Sequence, residues 1–78
     1  MSKLAKRIRQ VVNEATKKGV RTTINIHPDN NETAKEVIRE LEEELEHEAE
    51  HHTGDSCNWA TLADFSNGLD VSVFLVNE

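Results

Sequence analysis

One cysteine, Cys57, excludes a disulfide framework, because a secreted scaffold of this size needs an even set; a lone thiol suits a reducing compartment. No apolar run approaches the roughly 20 residues that span a bilayer. The opening MSKLAKRIRQVV also lacks a signal peptide's apolar segment and small-residue cleavage site, so the expected location is cytoplasmic, with no membrane partner. Tyrosine is absent, and Gly19, Gly54 and Gly68 are the only glycines. Each stands where a helix end or a turn accounts for it, leaving no glycine-rich loop for a phosphate and no G-x-S-x-G nucleophile elbow. Histidines and aspartates scattered through a chain this small form no catalytic constellation, so neither an enzyme nor a cofactor is expected. With 78 residues the chain makes one domain, 1–78, with a limited core.

Charge is what the chain has, and it is divided. Residues 1–21 hold seven bases against Glu14, a net +6, whereas residues 22–78 hold two bases and fourteen acids, a net −12. The overall −6 argues against direct nucleic-acid binding. The basic part starts with a helix. Ser2 suits its N-cap, Leu4, Ile8, Val11 and Ala15 with Ala5 and Val12 form its apolar stripe, and Gly19 ends it.

The acidic part is dominated by Glu32 to His52, ETAKEVIRELEEELEHEAEHH, which reads as one long amphipathic helix. Ala34, Val37, Ile38, Leu41, Leu45 and Ala49 recur at spacings of three and four, the mark of a core-facing stripe. Asp29, Asn31 or Thr33 can cap its start. Glu40, Glu42, Glu43, Glu46 and Glu50 occupy the opposite side. From Glu42 to Glu50 the charges fall about 2 Å apart along the axis, near the spacing of about 1.7 Å per phosphate in duplex DNA. His47 and His51, four apart beside Glu43 and Glu44, have metal-ligand spacing, but such pairs arise by chance in acidic helices and no metal is expected.

Val20 to His27 alternates, with Val20, Thr22, Ile24 and Ile26 on one side and Arg21, Thr23, Asn25 and His27 on the other, as in a strand with one buried face that Pro28 ends. Asn58 to Val76 reads as a hairpin turning on Asn67-Gly68, although Asn58 to Ser66 also fits a short helix. A two-residue turn there pairs Ser66 with Leu69, Leu62 with Val73 and Ala60 with Leu75. It puts Ala60, Leu62, Val71, Val73 and Leu75 on one face and Trp59, Thr61, Phe65, Phe74 and Val76 on the other.

The expected fold is α+β, a two-layer αβαββ sandwich with two helices on one face of a three-stranded sheet of order 1-3-2. The first and second strands run parallel around an antiparallel third, and the acidic helix is the right-handed crossover. Two binding surfaces follow. In the leading reading Glu40, Glu42, Glu43, Glu46 and Glu50 occupy a basic, nucleic-acid-binding groove of a target protein and inhibit it; in size and charge the chain is similar to mobile-element inhibitors of restriction or CRISPR nucleases. In the alternative, Trp59 and Phe74 form an exposed sheet face through which a small domain binds a target or a second copy, as a homodimer.

Overall fold

The apolar stripes of the two helices close on a single face of the sheet. A computed structural model describes residues 3–64, 66 and 68–76, in the order α1 (Lys3–Lys18), β1 (Ile24–Ile26), α2 (Asn31–Leu45), β2 (Glu50–Thr53), β3 (Cys57–Asp64) and β4 (Leu69–Val76). The expected Ser2 cap, Phe65 and the Asn67 half of the turn lie outside the described residues. Ala5, Ile8 and Val12 of α1 and Ala34, Ile38 and Leu41 of α2 form one core with Ala60, Leu62, Leu69, Val71 and Val73 of the sheet. The α1 stripe is turned from the expected one: Leu4 and Val11 are each 45% exposed, while Ala5 and Val12 are buried. Gly19, at φ 71, ends α1, as expected of a residue free to enter the left-handed region.

The class is α+β, but the sheet has four strands in the order β1-β4-β3-β2 instead of three in the order 1-3-2. The extra strand is Glu50–Thr53, which takes up the last three residues of the segment expected to be helical, Glu50 to His52. Helix α2 stops at Leu45, and Glu46 takes a left-handed conformation (φ 52, ψ 46) with its N–H bonded to the Glu42 carbonyl. Electrostatics adds to the early stop. The last turn of α2 carries no base to meet the negative end of the helix dipole. Continuing the helix would add Glu42–Glu46 and Glu44–Glu48 to the like-charge pairs four apart that α2 already carries at Glu32–Glu36, Glu36–Glu40 and Glu40–Glu44.

Inserting β2 reverses the direction of everything after it. Strand β1 therefore runs parallel to β4, with Ile24 beside Val71 and Ile26 beside Val73, where an antiparallel neighbour was expected. Helix α2 joins β1 and β2, at opposite edges of the sheet. The β3–β4 hairpin pairs Asp64 with Leu69, Leu62 with Val71 and Ala60 with Val73, so its connection spans residues 65–68 instead of two residues. Gly68, at φ 74, supplies the positive dihedral just before β4. The helical alternative for Asn58 to Ser66 does not hold, because Cys57–Asp64 is strand.

Asn30, not Asp29, Asn31 or Thr33, caps α2: its side chain accepts from the Thr33 N–H at 2.8 Å. Asn31 is used otherwise. Its side-chain amide donates to the Val76 carbonyl at 2.7 Å and its amide oxygen accepts from the Val76 N–H at 2.8 Å, tying the start of α2 to the end of β4. Between the helices Arg9 donates to Glu44 at 2.9 Å; the arginine side chain is 56% exposed and the carboxylate side chain 7%.

Candidate functional site

The five glutamates expected to share one surface do not. Glu42 is used within the fold, accepting from the Ala49 N–H at 2.9 Å as the chain leaves the helix. Glu43 pairs with Arg39 at 3.6 Å on the exposed side of α2, and Glu46 is the helix C-cap. Glu40 stays half-buried on α2. Glu50 leaves the helix altogether and opens β2, opposite Thr61 of β3. The acidic run is thus divided between the helix layer and the sheet.

The strands gather a different set. In the observed register Trp59 lies directly opposite Phe74, where the expected two-residue turn would have set Trp59 against Val76. His52 of β2 is opposite Trp59, and their rings stack with centroids 5.3 Å apart and planes 20° apart. His27 follows Ile26, the partner of Val73, and stacks on Phe74 at 4.7 Å and 3°. These separations match the spacing of about 4.8 Å between strands, so each ring pair bridges neighbouring strands. The result is a row of four rings, His52, Trp59, Phe74 and His27, crossing the sheet on the face turned away from the helices. Each stacked pair contributes about 0.5–1.5 kcal/mol beyond its buried area.

Gly54 in the β2–β3 turn makes room for the row. A Cβ there would lie 2.8 Å from the Cys57 carbonyl oxygen and 2.9 Å from Cζ3 of Trp59. The indole therefore leans over the turn, toward His52. Polar groups border the row: His52 Nε2 is 3.0 Å from Thr61 Oγ1 and 4.0 Å from a Glu50 oxygen, and Thr23 donates to Asp70 at 2.8 Å. None of the four strands contains a lysine or an arginine. Beside Phe74 a cleft of ≈ 450 Å³ is lined by His27, Pro28, Ser56, Cys57 and Val76.

The alternation around Ile24 and Ile26 had already put His27 on the side away from the core. His52 gave no such signal, because a histidine at the end of an acidic segment reads equally well as a helix C-terminal residue. The expected His47 and His51 pair is separated: His47 sits in the turn after α2, its Nδ1 2.8 Å from the Glu48 carbonyl, while His51 is in β2. Among the described residues no group of three or more His, Cys, Asp or Glu side chains is placed to hold a metal. No described helix is long and apolar enough to cross a membrane.

No family model, curated protein or solved structure matches this chain, so the functional reading stands on its own geometry.

Proposed function

We propose that this domain is a small protein-binding module that docks a basic partner through the outer face of its sheet. The row of four rings beside Glu50 and Asp70 carries the reading. Aromatic side chains in the middle of a surface are where binding energy concentrates. A four-stranded sheet with aromatic rings is also a way to stack nucleic-acid bases, but that use requires cations for the phosphates, and these strands supply carboxylates. Arginine and lysine of a protein partner suit both the rings and the acids, and the net charge of −6 steers such a partner at long range. Occupation of a nucleic-acid-binding groove, and so inhibition, follows where that groove is the partner's basic surface.

Affinity capture from a lysate followed by titration of the captured protein tests this. Glu50→Lys changes the outer face, while Glu43→Lys with Glu46→Lys changes the end of α2; all three side chains are exposed, where substitutions usually shift stability by no more than about 0.5 kcal/mol. Glu50→Lys is expected to weaken binding and its salt dependence more than the helix pair does. The reverse order returns the site to the acidic helix.

A further inference from the structure

Helix α1 has a flank that the fold does not use. Leu4 and Val11, two turns apart and each 45% exposed, stand one above the other, and at about 100° per residue Arg7 and Lys18 border them on the same side. Arg9 marks the opposite side. It lies about 140–180° around the helix from those four residues, and its bond to Glu44 fixes α2 there. The acidic helix is thus held behind α1, away from the stripe. Lys3, Lys6, Arg7, Lys17 and Lys18 are all exposed against Glu14, the one acid of the helix, so five bases and one acid give +4 with the paired Arg9 set aside. The first turn holds Lys3 and Lys6 and no acid. Bases there face the positive end of the helix dipole, an unfavourable placement that an anion at this surface would offset.

We propose that this flank of α1 docks on an anionic phospholipid surface. Leu4 and Val11 enter the headgroup boundary, while the long stems of Arg7 and Lys18 beside them, with Lys3, Lys6 and Lys17, carry their charges to the lipid phosphates. No spanning segment is needed. The lack of an apolar run long enough to cross a bilayer, from which no membrane partner was expected, bears on crossing and not on lying at the surface. The net charge of −6 does not forbid the contact, because packed helices stand about 8–10 Å apart, a Debye length at physiological salt, and the glutamates of α2 are screened from a surface that the lysines touch. Other anions fit less well. A nucleic acid would meet the bases but leave Leu4 and Val11 in water, and an antiparallel α1 of a second copy, paired about Val11, would set Lys3 beside Lys18 at both ends. The proposal is independent of the sheet-face reading, since the rings lie on the side of the sheet away from the helices and stay free for a protein partner.

The experiment is sedimentation of the domain with extruded vesicles of phosphatidylcholine alone and of phosphatidylcholine with about one third phosphatidylserine, at low and at physiological salt. Partition onto the mixed vesicles is expected to exceed that onto pure phosphatidylcholine by about tenfold or more at low salt, and to fall severalfold as salt rises. Arg7→Glu with Lys18→Glu should abolish the difference. Leu4→Ser with Val11→Ser should lower partition severalfold at unchanged charge; all four side chains are exposed, and circular dichroism checks that each variant stays folded. Lys35→Glu is the control: nine residues from Glu44, and so about 180° around α2 from the side that meets α1, it should change partition by less than about twofold. Trp59 emission should stay in place on binding, because the indole is on the outer face of the sheet. A blue shift would give the lipid contact to that face and overturn the assignment. So would absence of binding to the mixed vesicles at low salt, or binding that needs Arg7 and Lys18 yet ignores Leu4 and Val11, the behaviour of a face that reads any polyanion.

Discussion

Replacing Trp59 with serine separates a docking residue from a core residue. The indole is half-buried, stacks on His52 and faces Phe74 across the β3–β4 pair. Losing the stack removes about 0.5–1.5 kcal/mol and losing the cross-strand pair about 0.2–1 kcal/mol, together about 0.7–2.5 kcal/mol in addition to what the buried part of the indole contributes. A domain of this length has roughly 4–12 kcal/mol to draw on and stays folded. Leu62→Ala is the control: Leu62 is fully buried on the helix side, and such truncations typically remove about 2–5 kcal/mol. In binding the order should invert, with Trp59→Ser losing at least about 2 kcal/mol, roughly a thirtyfold drop in affinity. Folding is followed by urea titration with far-ultraviolet circular dichroism, since the variant removes the only tryptophan, and affinity by calorimetry with the captured partner. If Trp59→Ser destabilises as much as Leu62→Ala while the folded fraction binds within about threefold of the parent, the ring belongs to the core and the outer-face reasoning fails.

Three further substitutions test the supports of that face. Gly54→Ala places a methyl group against the Cys57 carbonyl and the indole edge, where the backbone contact cannot yield, so a loss of about 1–3 kcal/mol and a shifted tryptophan emission are expected; unchanged emission would mean that the indole does not lean on this turn. Asn31→Ala removes both bonds to the Val76 backbone and should lower stability by about 1–2 kcal/mol with faster hydrogen exchange at the Val76 amide, so an unaltered exchange rate would refute the tie. Among the described residues the buried Oδ1 of Asn58 has no hydrogen-bond partner, so Asn58→Val should be neutral or stabilising by up to about 1 kcal/mol in urea titration, and a clear loss would contradict that account.

The residues show why some of this was legible in advance. Ala34, Ile38 and Leu41 recur at helical spacing and are buried, and Ala60, Leu62, Val71 and Val73 share the core face because alternation along a strand determines faces. Alternation does not determine register. Sliding the hairpin by two residues keeps every side chain on its own face, so the apolar pattern was equally content with Trp59 opposite Val76 and with the observed Trp59 opposite Phe74. The four residues of β2, Glu50-His51-His52-Thr53, include one β-branched side chain and form a strand through pairing with β3, a contact distant from anything local propensity reports. Missing that one strand inverted the expected directions of the next two and removed His52 from the site.

The edges of the sheet bear on which surface is left for a partner. An exposed edge offers unpaired backbone groups and is the usual place for another chain to add a strand. Here β1 has three residues and is followed at once by His27 and Pro28, which has no N–H to offer, while β2 has four residues, all polar, opening with a glutamate. Between them β4 is eight residues long, but β1 reaches only Val71 to Val73. Beyond that point the Asn31 side chain satisfies the N–H and C=O of Val76 as a neighbouring strand would. Short, polar or plugged edges disfavour strand addition, whereas the two eight-residue strands in the middle bring Trp59 and Phe74 side by side on the outer face.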